Sequence, residues 1–290
     1  MRVVASSSPF SKESFLDGVN ILEGLGLRVK YRKDIFAEHP YLAGSDARRF
    51  GELKQALEDD ATDAILFARG GYGAMRLIPF FQKIKIKARP KIIAGFSDVT
   101  TLHLYFEKFW HWNSFYAPMI GGNMRQMRES FTLDSLRRTL MDPKPLGRFS
   151  FPETIVIKRG SAKARLIGGC LTLVTASLGT PFEIETDGRI LFVEDIHEKP
   201  YQIDRLLTQL KLAGKFKKCR GLIFGVLNGP NPIEHYAQTI REVFHDVDFP
   251  IFMNFPSGHI PKTFTLPLGT TIEMNSRDKS VTFLESPFAD

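Results

Sequence analysis

Cysteine is almost absent: Cys170 and Cys219 are the two in 290 residues, far apart and outside any paired spacing. That excludes a disulfide scaffold and a cysteine-based zinc site, and both side chains are expected as buried, reduced thiols. Long apolar runs are lacking too. No stretch approaches the roughly 20 apolar residues that cross a bilayer, and the opening MRVVASSSPF lacks the apolar core of roughly 7–15 residues found in secretory leaders. A reduced, cytoplasmic setting without membrane contact is the expectation. Phosphate-binding fingerprints are missing as well. The string ARGGYGAM at 68–75 has no Lys-Ser/Thr pair of a P-loop, and its glycine spacing departs from G-x-G-x-x-G, which weakens a nucleotide-binding Rossmann reading.

The charge is +7, from 39 basic and 32 acidic residues. The basic runs, Arg28 to Lys33, Lys83 to Lys91 and Lys211 to Arg220, are short and interspersed. A nucleic-acid binder concentrates such charge into a stripe, so no nucleic-acid partner is expected, and a small acidic substrate fits the excess equally well.

Hydrophobic residues make up 43% of the chain, enough for one large or two modest cores. Short β-rich runs alternate with helical patterns through the first half, as in a parallel sheet covered by helices. Strands are expected at Val3 to Ala5, Ala64 to Phe67 and Lys91 to Ala94. One helix carries Phe15, Val19, Leu22 and Leu25 on a single face, and another, capped by Ser45 or Asp46, carries Phe50, Leu53 and Leu57. From Met141 to Ala164 the pattern loosens, with one strand-like run at Thr154 to Lys158, which predicts a linker. A helix-like LIGGCLTLVTASLGTP, a strand from Arg189 to Val193, a helix from Ile203 to Ala213, a strand from Gly221 to Val226 and a helix near His235 to Phe244 follow. The expected class is α/β, with a parallel-sheet N-terminal domain over 1–142, a linker over 143–164 and a smaller mixed α/β C-terminal domain over 165–290.

The strand ending at Gly95 turns through Phe96 and Ser97 straight into a helix. That corner exposes the Ser97 hydroxyl and aims helix N-terminal amides at its target, the logic of a nucleophile elbow, although G-x-S-D is not G-x-S-x-G. The plain alternative is that Ser97 or Asp98 caps the helix. A serine needs a base, and the base needs an orienting group. Of seven histidines, His259, in the constrained turn Gly-His-Ile-Pro, suits a general base. Glu194 and Asp195 follow an apolar strand, where α/β folds place catalytic groups; the plain alternative is that they cap the next segment or pair with Arg205. The glycines of ARGGYGAM let backbone approach a ligand and offer amides to an oxyanion or carboxylate.

Seven strings in order, AGSDARR, DAILFARGGYGAMRLIP, GFSDVT, YAPM, IGGCLTLVTASLGTPF, LFVEDIHEKPYQIDRLLTQL and the late SGH with TLPLG, resemble the LD-carboxypeptidase family over nearly the whole chain. The resemblance implies a serine carboxypeptidase that removes a terminal D-alanine from murein tetrapeptides, with no metal or organic cofactor, and a homodimer. It implies Ser97 as nucleophile, Glu194 as orienting carboxylate and His259 as base, with backbone amides near Gly71 and at Asp98 forming the oxyanion hole. Arg69, beside the glycine pair, is a candidate for the substrate's terminal carboxylate. Ala117 stands where the family usually has glycine. The rival expectations are a microcin-immunity-type peptidase that inactivates a peptide-nucleotide antibiotic, and a non-catalytic muropeptide-binding protein.

Overall fold

Ala64 to Phe67 is buried at every position. A strand covered on both faces loses its alternating pattern, and this one lies inside a mostly parallel sheet packed with helices. The computed structural model describes residues 1–122 and 130–288. In chain order it runs β1 (Arg2–Val4), α1 (Lys12–Gly24), α2 (Asp46–Glu58), β2 (Ala64–Phe67), α3 (Ile78–Lys83), β3 (Ile92–Gly95), α4 (Thr100–Trp110) and β4 (Ser114–Tyr116). There follow α5 (Ser130–Met141), β5 (Gly147–Ser150), β6 (Ile155–Lys158), β7 (Ser161–Cys170), α6 (Leu171–Ala176), β8 (Ile190–Ile196) and α7 (Pro200–Leu212). The chain closes with β9 (Gly221–Asn228), α8 (Ile233–Val243), β10 (Ile251–Met253), β11 (Leu266–Leu268), β12 (Thr271–Asn275) and β13 (Ser280–Phe283).

Two sheets form. The first has five strands in the order β1-β2-β3-β4-β11, parallel except for the antiparallel β11. The second has eight, β5-β13-β12-β7-β8-β9-β10-β6, with a parallel centre from β7 to β10 and antiparallel strands outside it. Local signals account for the helix starts. Ser11 caps α1 by accepting from Ser14 N at 3.0 Å, and Ser45 caps α2 by accepting from Arg48 N at 3.3 Å. One apolar cluster runs through both sheets, joining Phe67, Phe96 and Tyr116 to Phe192, Val193 and Phe224.

Three segments depart from expectation. Residues 143–164 are not a linker: the strand-like run at 154–158 is β6, β5 and the start of β7 accompany it, and β5 and β6 form the two edges of the second sheet. Edge strands carry short, half-exposed sequences, which is why this stretch reads as loose. The helix-like pattern beginning at Leu166 is strand as far as Cys170 and helix only over α6. Residues 166–170 pair in parallel with Ile190 to Glu194, and a strand buried in a sheet centre shows a continuous apolar run that periodicity cannot separate from helix. Finally, β11 leaves the C-terminal half and pairs with β4, so the first sheet is completed by a late segment.

Among the described residues no helix is long and apolar enough to cross a membrane. Cys170 and Cys219 are buried and free.

Phe224, fully buried on central strand β9, packs its ring on Phe244 with centroids 6.3 Å apart. Phe224→Ala is expected to destabilise the fold by about 3–5 kcal/mol, measured by urea denaturation.

Candidate active site

The carboxyl ends of β3 and β8, one from each sheet, meet in a single hydrogen-bonded network. After Gly95 the chain turns sharply: Ser97 has φ 61°, a left-handed conformation that costs a non-glycine residue energy and is held only by its surroundings. A short 3-10 turn over Ser97–Val99 then runs directly into α4. Gly70 is pressed against this corner; a Cβ there would lie 2.9 Å from Ser97 Cβ, so only glycine lets the loop approach so closely.

The glycine loop is pinned from three sides. Ser8 Oγ accepts from Tyr72 N at 3.1 Å, Asp98 Oδ2 accepts from Ala74 N at 2.8 Å, and buried Arg49 donates through Nη1 to Gly73 O at 2.9 Å. Asp98 is itself buried, and desolvation raises its pKa, opposed by hydrogen bonds from Ser7 and Ala74. Its side chain therefore braces the loop, while its N–H sits at the start of the turn, where no helical acceptor precedes it. Gly71 lies in the loop with φ 95°. Arg69 is exposed and donates through Nη1 to Pro9 O.

Glu194 is fully buried near the end of β8. Its Oε2 accepts from His259 Nδ1 at 2.8 Å and from His259 N at 3.1 Å. Its Oε1 accepts from the hydroxyl of Tyr116. The two carboxylates of the Glu-Asp pair have separate fates. Asp195 turns to the start of α6, where Oδ2 accepts from Thr172 N and Thr172 Oγ1, each at 2.8 Å. Asp195 thus serves the start of a helix that precedes it in the chain, not the next segment, and Glu194 caps neither.

His259 is held by its loop. Asn228 Nδ2 donates to His259 O at 2.9 Å, Gly258 N donates to Thr263 Oγ1 at 3.0 Å, and Ser257 Oγ donates to Phe264 O at 2.8 Å. Gly258 has φ 126°, and a Cβ there would collide with Glu194 Oε2, so any side chain would part the carboxylate from the imidazole. Burial pushes the His259 pKa down, but the charge and hydrogen bond of Glu194 outweigh it, and the net direction is up. The His259 ring lies against Phe96, with centroids 4.7 Å apart, which brings it beside the Ser97 corner. Among the described residues Ser97 Oγ makes no hydrogen bond to His259.

Tyr116, at the end of β4, is the residue that sequence reasoning missed. Besides donating to Glu194, its hydroxyl accepts from Ser97 N at 3.3 Å. A tyrosine inside the apolar SFY strand reads as core; the available signal was that a buried phenol needs a partner. The neighbouring Ala117 is buried without a left-handed backbone, its N–H donating to Gly95 O at 3.1 Å, so alanine fits where the family usually has glycine. The other histidines stand apart. His103 is buried and donates to Gly95 O through Nε2 at 2.9 Å, and burial lowers its pKa to about 4. His39, His111, His197, His235 and His245 are exposed.

A strained serine at a strand-to-helix corner, on one hydrogen-bonded chain with a buried Glu–His pair, is an arrangement suited to a serine hydrolase. Sequence models of the LD-carboxypeptidase N-terminal domain and C-terminal domain match residues 1–117 and 163–274. A probable murein peptide carboxypeptidase of Bacillus subtilis is 32% identical, over 96% of this chain and 89% of its own. The microcin C7 self-immunity protein of Escherichia coli is 25% identical, over 97% of this chain and 92% of its own. The crystal structure of a muramoyltetrapeptide carboxypeptidase from Oxalobacter formigenes superposes with a TM-score of 0.85 at 24% identity, covering 98% of this chain and 99% of that one. The chain belongs to the LD-carboxypeptidase family, and it is a serine-type carboxypeptidase.

The imidazole of His259 is expected to titrate above the ordinary histidine value of 6.5. Glu194→Gln removes the main attraction that raises it and leaves burial opposed only by the weaker pull of Asp195, so the titration should fall. NMR titration of the ring protons in both proteins checks the direction.

Proposed function

We propose that this enzyme removes the terminal D-alanine from murein tetrapeptides, with Ser97 as nucleophile, His259 as base and Glu194 as the carboxylate that orients it. The observation that carries the reading is the bond from His259 Nδ1 to the fully buried Glu194, which leaves Nε2 as the ring nitrogen free for a serine proton. Glu194 fixes the tautomer and stabilises the imidazolium that forms. His259 takes the Ser97 proton as Oγ attacks the carbonyl before the terminal residue. The same proton then passes to the leaving amine, and water, deprotonated by His259, releases the acyl-enzyme.

The N–H groups of Gly71 and Asp98 are assigned to the oxyanion, each such donor being worth roughly 10²–10³ in rate. Arg69 is assigned to the terminal carboxylate. A guanidinium has five N–H donors, and the bond to Pro9 O uses one nitrogen. The substrate lies between the units 1–142 and 165–290, in a cytoplasmic dimer acting in cell-wall recycling, and the net charge of +7 steers acidic peptides toward it. No metal or organic cofactor enters these steps. The rival activity, favoured by the likeness to the microcin C7 self-immunity protein, is inactivation of a peptide-nucleotide antibiotic.

Ser97→Ala and His259→Ala are each expected to lower kcat at least about a thousandfold with folding intact, because they act as one unit, and Glu194→Gln to lose less. Steady-state kinetics on a defined tetrapeptide measures this. The same tetrapeptide with an amidated C-terminus should be cleaved far more slowly, since a site that receives a carboxylate with placed donors loses them on a neutral group. Product mass analysis reads the two rates, and equal rates would turn the assignment toward the antibiotic substrate.

A further inference from the structure

We propose that Tyr116 is a positioning residue for this reaction: its hydroxyl holds the Glu194 carboxylate and the Ser97 backbone together, fixing base and nucleophile to one another across the two sheets. The inference rests on the triad reading above and adds a fourth residue to it.

The geometry is specific. Tyr116 belongs to β4 of the first sheet and Glu194 to β8 of the second. The Tyr116 O–H donates to Glu194 Oε1, on the carboxylate oxygen that His259 does not use. Its own oxygen accepts from Ser97 N at 3.3 Å, so one atom bridges the strained corner and the carboxylate. The direction of donation is set. Burial, then the nearby Glu194 charge, raises the Tyr116 pKa well above 10.0, and the phenol stays protonated. The ring cannot swing away: it is 2% exposed and packs edge-on against Phe96 at 5.8 Å and Phe192 at 5.4 Å, with His103 at 6.2 Å.

Two consequences separate this role from mere packing. The Ser97 amide is occupied by Tyr116, which holds the left-handed corner in place and leaves the next amide, that of Asp98, as the one presented to an oxyanion. Donation to Oε1 also draws charge from the carboxylate. Without it, more charge stays on Glu194 for the imidazolium, and His259 holds its proton to higher pH. The other titratable groups around the cluster are Asp195, tied to Thr172; Cys170, whose thiol burial keeps protonated; and His103, which burial keeps neutral. None of them makes a hydrogen bond to Glu194 or to His259 among the described residues.

The test uses the full chain and a tetrapeptide ending in free D-alanine, with Ser97→Ala measured in parallel. Tyr116→Phe removes one oxygen and keeps the ring. It is expected to lower kcat roughly tenfold to a hundredfold, the usual worth of a hydrogen bond to a charged group. KM should change little, because the ground-state contacts to the peptide are untouched. The acid limb of the kcat profile should move to higher pH, and the downfield NMR signal of the His259 Nδ1 proton should move with it. A second variant carrying 3-fluorotyrosine at 116, a stronger donor of nearly the same shape, should shift the limb to lower pH and does not depend on Tyr116→Phe folding. A wild-type kcat and an unmoved limb in Tyr116→Phe, or an unmoved limb in the fluorotyrosine protein, overturns the inference alone. Activity surviving in Ser97→Ala overturns the triad reading and the inference with it.

Discussion

A carboxylate taken out of water needs several donors, and Glu194 has them: the Tyr116 hydroxyl, the His259 ring and the His259 amide. Burial of a charge at this depth is unfavourable unless every partner is in place, so the charge dictates its surroundings. It selects glycine at 258, because the loop must pass against the carboxylate oxygen. It requires the β10 to β11 loop to be braced from Asn228 and Thr263, and it draws β4 of one sheet toward β8 of the other through Tyr116. The shared apolar core gives the two sheets proximity; this polar cluster gives them register.

Strain at Ser97 belongs to the same economy. A left-handed serine is costly by itself and is held by its neighbours: Phe96 packed on Tyr116 and His259, the Ser97 amide bonded to Tyr116, and Asp98 fastened to Ala74. Asp98 acts twice here. Its side chain locks the glycine loop, and its amide stands at the head of the turn.

Much of this was legible in the sequence, for reasons that differ by element. Helices α1, α2, α4, α7 and α8 carry clear periodicity or a cap, and strands β2, β3, β8 and β9 are short apolar runs bounded by turns. Ser97, Glu194 and His259 each sit at a strand end or a glycine turn, which is a local signal. The second sheet was harder, because its edges come from half-exposed strands that resemble loop and its centre includes Leu166 to Cys170, whose unbroken apolar run mimics a helix. Tyr116 was invisible for a further reason. Its importance lies in a contact to a residue 78 positions away, and the need of a buried phenol for a partner does not say which partner it finds.

The return of β11 to the first sheet bears on how the chain is made. On a ribosome β1 to β4 can pair once Tyr116 has emerged, but the free edge of β4 has no partner until residues 266–268 have followed. For most of synthesis that edge is open, an invitation to pairing with another nascent chain. The same late strand lies just after the His259 loop, so the segment that closes the edge also carries the imidazole. A chain interrupted before Leu266 therefore holds its nucleophile corner without a completed sheet behind it.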